Sequence, residues 1–114
     1  IDWYSRESRK YTERNEGQPL PALTFLHIPL PEYTQAWESF ETKRYGDRNE
    51  KECSPNINSG MFANMLECGD VMGVFAGHDH VNDYIATLYN IALGYGRASG
   101  GKNTYGDKTR IERR

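Results

Sequence analysis

Val71-Met72-Gly73-Val74-Phe75-Ala76-Gly77-His78-Asp79-His80 is the stretch on which the fold turns. Its apolar first part, rich in valine and carrying Phe75, fits a buried strand that starts after a Gly69-Asp70 turn. Gly77, with no Cβ, allows a sharp change of direction where the strand ends. His78 and His80 follow at spacing i, i+2. In an extended segment that spacing sends both imidazoles off the same side of the backbone, an arrangement suited to a divalent metal. Asp79 would then point away, either to orient an imidazole or, as preferred here, into solvent.

Upstream, Ala22-Leu23-Thr24-Phe25-Leu26 is short and apolar and lies near prolines, so it too fits a buried strand. It leads directly into His27. Pro29 and Pro31 forbid a helix beyond it and remove two ladder donors. The chain has three histidines, and each follows a predicted strand. A single histidine is ordinarily a surface or hydrogen-bonded core residue. Three at strand exits point instead to one site, because α/β folds build their sites there.

The remaining pattern is plainer. Residues 2–16 read as an amphipathic helix with Asp2 as N-cap and Ile1 and Trp3 on its buried side. A short helix is expected over 33–41, with Tyr33, Trp37 and Phe40 on one face. Residues 42–58 are charged and turn-rich and read as a loop. Ser59 would cap a helix over 60–68 whose apolar stripe is Met61, Met65 and Leu66. Tyr84–Leu88 and Ile91–Tyr95 read as strands joined by a tight turn at Tyr89-Asn90. A last short strand is expected around 109–111.

Composition narrows the function classes. The chain has 114 residues, 37% of them hydrophobic, with 14 basic and 16 acidic side chains and a net charge of -2. The mean hydropathy is -0.83. No basic field for nucleic acid arises from that balance. Arg110, Arg113 and Arg114, split by Glu112, read as a solvated terminus. No apolar run approaches the roughly 18 residues that span a bilayer, and no signal peptide is evident. The first residue is Ile1, not Met, so the chain is expected to begin inside a longer gene product. Cys53 and Cys68 form no CxxC knuckle; they either pair as a disulfide or stand as two free thiols.

Together these elements resemble the calcineurin-like metallophosphoesterase superfamily, in its purple-acid-phosphatase-like branch. The residues that carry the resemblance are Phe25-Leu26-His27-Ile28-Pro29-Leu30-Pro31-Glu32-Tyr33, Asn58-Ser59-Gly60, Gly69-Asp70-Val71, the run from Val74 through Gly77-His78-Asp79-His80 to Tyr84, and Gly94-Tyr95-Gly96-Arg97. The resemblance implies an α/β fold, the C-terminal part of a four-layer α/β/β/α sandwich. Residues 1–114 would be a C-terminal fragment whose domain's N-terminal half is not present.

It also implies hydrolysis of phosphate esters at two divalent or trivalent ions (Mn, Fe or Zn), about 3.5–4 Å apart, that activate a water. His27 and His78 would ligate the second metal and His80 the first. Asn82, Tyr84 and Arg97 lie near enough in sequence to line a substrate pocket, though packing or solvation is the simpler role for each. The family's Asp-x-His, Gly-Asp-x-x-Asp and Gly-Asn-His motifs do not occur in this chain. No catalytic residue is therefore assigned within it, and the chain alone is expected to be inactive. A non-catalytic metal-binding or interaction module is the alternative. Half a sandwich would expose the sheet face its other half covers, so self-association is expected. The resemblance leans towards an exported or periplasmic protein.

Overall fold

A computed structural model of the chain describes residues 1–98. The expected strand around 109–111 and the terminal arginines lie outside these residues. The elements, in order, are α1 (Asp2–Arg14), β1 (Ala22–Phe25), α2 (Glu32–Glu38), β2 (Arg44–Asp47), α3 (Met61–Cys68), β3 (Val71–Ala76), β4 (Asp83–Leu88) and β5 (Ile91–Tyr95). The architecture is α/β, with a five-stranded mixed sheet of order β1-β3-β5-β4-β2.

The three strands β1, β3 and β5 run parallel; β4 joins antiparallel to β5, and β2 antiparallel to β4, so that β2 runs with the parallel set. The switch is made by the hairpin turn after Leu88. Tyr89 and Asn90 both have positive φ, 47° and 66°, the backbone of a tight turn whose twist matches the flanking strands.

One face of the sheet is covered. Val74, Leu93 and Ala86 form a buried row across three strands, and Ala76, Tyr95 and Tyr84 form the next. Tyr33 and Ala36 of α2 and Phe62 and Met65 of α3 close over them. The Tyr33 hydroxyl donates to the carbonyls of Val74 (2.8 Å) and Gly94 (3.1 Å), which locks α2 onto the sheet. Helix α1 joins through α3, the Ser5 hydroxyl donating to Asn64 Oδ1 at 2.8 Å.

The other face is open among the described residues. The pairings Phe25–Phe75–Gly94–Ile85–Tyr45 run straight across all five strands. Phe25 is 73% exposed, Tyr45 70% and Ile85 38%. Strand β3, expected to be buried, is therefore buried on one side only, and β1, also expected to be buried, is half-buried on one side and exposed on the other. A register shift between Ala22 and Leu23 opposes Gly73 to Leu23 and leaves Met72 as the extra residue, exposed like Phe75.

Several local expectations are corrected. Ile1, not Asp2, occupies the N-cap of α1. Trp3 and Ile1 are exposed, because the face of α1 that packs carries Tyr4, Ser5 and Ser8. Helix α2 stops at Glu38, and Phe40 stands fully exposed beyond it. In α3 the buried residues are Phe62 and Met65, while Leu66 is exposed. Gly60, at φ 78°, takes the N-cap, and Ser59 contributes one residue earlier by accepting the Met61 N–H at 3.3 Å. Strand β2 lies within the stretch read as loop. Its Gly46 is required: at φ +97° a Cβ would stand 2.2 Å from the Asp83 carbonyl oxygen across the ladder.

Candidate metal centre

Because β1 and β3 are adjacent and parallel, their C-terminal ends are neighbours. The ladder continues past both strands: the Leu26 N–H donates to the Phe75 carbonyl at 2.8 Å and the Gly77 N–H to the His27 carbonyl at 3.2 Å. His27 and His78, 51 residues apart, consequently emerge side by side. His27 Nε2 and His78 Nδ1 stand 3.3 Å apart. The ring centroids are 5.1 Å apart, with the planes at 79°.

His80 is placed differently. The segment after Gly77 does not stay extended: Asp79 to Val81 turn back, and the Asn82 N–H donates to the Asp79 carbonyl at 3.3 Å. The i, i+2 rule for a strand thus does not govern His78 and His80. His80 is half-buried, and its carbonyl accepts the Ala98 N–H at 3.0 Å.

Asp79, expected in solvent, is buried. Its carboxylate accepts the Cys53 N–H at 3.0 Å and the Tyr95 hydroxyl, and the Tyr95 oxygen in turn accepts the Asp79 N–H at 2.9 Å. Burial, reinforced by the hydrogen bond to Asp79, pushes the Tyr95 hydroxyl well above its ordinary pKa. This double contact clamps the turn that carries His78 and His80 onto β5. It also ties the turn to the loop around Cys53. The Cys53 sulfur, a His78 ring nitrogen and an Asp79 carboxylate oxygen all lie within 4.8 Å of one another. The cysteines are both free thiols. Nothing in their spacing marks Cys53 as a neighbour of His78; only the fold joins them.

The loop that delivers Cys53 is pinned by a buried carboxylate. Glu52 accepts two bonds from the Arg48 guanidinium (2.9 and 2.8 Å), one from the Thr34 hydroxyl (2.8 Å) and one from the Tyr84 hydroxyl. Burial alone would raise the Glu52 pKa. The bonds from Arg48, Tyr84 and Thr34 outweigh it and hold the carboxyl below the usual glutamate range.

Of the side chains considered for a substrate pocket, Asn82 is fully buried. Its Oδ1 accepts the Asn49 and Glu50 N–H groups (2.8 and 3.0 Å), and its Nδ2 donates to the Glu50 carbonyl (3.0 Å). Tyr84 is buried with its hydroxyl on Glu52. Arg97 Nε lies 3.8 Å from Asp83 Oδ2. Asn82 and Tyr84 thus hold loop and core together. A groove between α1 and β1, lined by Trp3, Tyr4, Tyr11, Leu20, Leu23 and Phe25, includes none of the histidines.

The sequence aligns with three curated plant proteins of Arabidopsis thaliana. It is 42% identical to one named "Probable inactive purple acid phosphatase 14", over 87% of this chain and 26% of that protein. It is 38% identical to "Probable inactive purple acid phosphatase 29", over 86% and 26%, and 36% identical to "Probable inactive purple acid phosphatase 28", over 70% and 19%. The chain therefore spans about a quarter or less of the length of these relatives. No family model matches it, and no solved structure matches it. With histidines at the ends of β1 and β3 and these relatives covered in their C-terminal part, the chain belongs to the purple acid phosphatase-like family, as a C-terminal portion.

Proposed function

We propose that His27, His78 and His80 are ligands of a phosphoesterase-type centre of two metal ions (Mn, Fe or Zn), completed by residues outside this chain. The observation that carries this is the 3.3 Å approach of His27 Nε2 to His78 Nδ1. Two nitrogens bound to one tetrahedral zinc at about 2.0–2.1 Å stand about 3.3–3.4 Å apart. The separation of the two nitrogens therefore matches a shared cation, in keeping with the family resemblance, which puts both imidazoles on the same metal. When bound, such ions polarise a phosphate ester and lower the pKa of a water.

This chain's residues do the holding. Tyr95 and Asp79 fix the turn that carries two of the histidines; Gly77 has no positive φ, and a Cβ there would meet only the Gly96 carbonyl at 3.5 Å, so the turn does not depend on glycine. The bridging carboxylate and asparagine ligand of the family have no counterpart motif in the sequence. We infer that the chain alone does not hydrolyse phosphate esters.

A second reading is favoured by the relatives, all three of which are named as probable inactive phosphatases. In it, the imidazole pair binds metal without catalysis, in the longer protein as well. Titration of the chain with zinc, read by calorimetry, tests the part common to both readings. Binding that is lost in His27→Ala and His78→Ala supports it, and unchanged binding ends it. A chromogenic phosphate ester assay of the longer protein, loaded with zinc or manganese, then separates the two.

A further inference from the structure

We propose that Cys53 is a third ligand at the His27–His78 pair, giving this chain its own thiolate-diimidazole site for one zinc-class cation. This rests on the assignment of His27 and His78 as ligands and goes beyond it in the donor set, the metal preference and the sufficiency of this segment alone.

The position of Cys53 is unusual. Cysteine is among the residue types most often buried, yet Cys53 is exposed while both its neighbours are tied down. Glu52 is buried under four hydrogen bonds, and the Ser54 hydroxyl donates to the Leu30 carbonyl at 3.2 Å. The Cys53 N–H itself is held by the buried Asp79 carboxylate at 3.0 Å, from the turn that carries His78. A fixed backbone thus presents an exposed thiol beside an imidazole that already faces a second one.

Two separations bear on coordination: the 3.3 Å between the His27 and His78 nitrogens, and the approach of the Cys53 sulfur to His78, where Asp79 is the third group of the cluster. The Cys53 sulfur and a His78 ring nitrogen lie within 4.8 Å. On one tetrahedral cation, with metal–sulfur about 2.3 Å and metal–nitrogen about 2.0–2.1 Å, they would stand about 3.6 Å apart. The site therefore requires the exposed Cys53 side chain to swing towards the pair about its one torsion. On binding, the sulfur gives up its proton to solvent, two imidazoles and a thiolate hold the ion, and water takes the fourth position. The Asp79 carboxylate positions the Cys53 loop and offsets the cation's remaining charge. A thiolate in the set favours zinc or cobalt over manganese or magnesium.

The test is cobalt(II) titration of the full 114-residue chain, with folding of each variant checked by circular dichroism. The expected result is one equivalent bound with a thiolate-to-cobalt charge-transfer band. That band should be lost in Cys53→Ser, while weaker cobalt binding remains, and kept in Cys68→Ser. A band that survives Cys53→Ser overturns the proposal and leaves the histidine pair standing. No binding by the parent chain, or binding indifferent to His27→Ala and His78→Ala, overturns the histidine assignment as well. Alkylation probes the same thiol without any substitution. Zinc should slow alkylation of Cys53 and leave Cys68 unaffected, and equal rates for Cys53 with and without zinc count against the site.

Discussion

The two faces of the sheet are built from the same five strands and behave as different materials. On the covered face, Val74, Leu93, Ala86 and the three tyrosines Tyr33, Tyr84 and Tyr95 are buried, the tyrosines hydrogen-bonded into place. On the open face, Phe25, Phe75, Ile85 and Tyr45 form an apolar row with no helix over it among the described residues. Strand residues alternate between the faces, so each strand carries two kinds of information in one stretch. The covered face specifies the fold of this chain. The open face adds little to that fold, and we propose that in the longer protein it meets a second sheet and in the isolated chain another copy.

Substitutions can break this contrast in a graded way. Glu52→Ala should cost most, about 3–5 kcal/mol in denaturant unfolding, because it strips a buried partner from Arg48 and leaves Tyr84 and Thr34 unpaired at the border of the covered face. Leu93→Ala, at the centre of that face, should cost about 2–5 kcal/mol through the cavity it leaves. Tyr33→Phe should cost about 1 kcal/mol, since both carbonyls it loses keep their sheet neighbours.

Acid should act on the same border. The Glu52 carboxyl is depressed in the folded chain. Its stabilisation is therefore present above the ordinary glutamate pKa and lost as pH falls through the depressed value. Glu52→Gln should flatten that acid limb of the stability curve, and an unchanged pH slope would show that the network contributes nothing.

On the open face, Ile85→Thr should shift stability by no more than about 0.5 kcal/mol. It should nevertheless weaken concentration-dependent association measured by sedimentation. A large loss of stability from Ile85→Thr, or a clean monomer at high concentration in the parent chain, would erase the distinction between the faces.

What the sequence discloses follows the same division. β3, β5 and the turn at Tyr89-Asn90 are legible because apolar runs and a turn signal coincide there. The exposure of Phe25 and Phe75 is not. A continuous apolar run looks the same whether its second face is buried by this chain or left for another. β2 escapes a sequence reading because Arg44-Tyr45-Gly46-Asp47 is an exposed edge strand with no apolar alternation to reveal it. The burial of Glu52 and Asp79 is hidden for a related reason. Acidic residues in charged stretches are ordinarily solvated, and only tertiary partners (Arg48 and Tyr84 for one, Tyr95 for the other) make burial tolerable. Of the site, the approach of His27 to the His78 turn can be read from strand exits. The place of Cys53 cannot, since it depends on a loop whose anchors are these same hidden carboxylates.

The 51-residue separation between His27 and His78 also ties the pair to assembly of the sheet. No local stretch of the chain holds both imidazoles near each other; only the completed parallel pairing of β1 with β3 does. Parallel pairing across so much intervening chain is slow compared with helix or hairpin formation. Binding of a metal ion to the pair is therefore linked to the closing of that sheet, and a bound ion would hold β1 against β3.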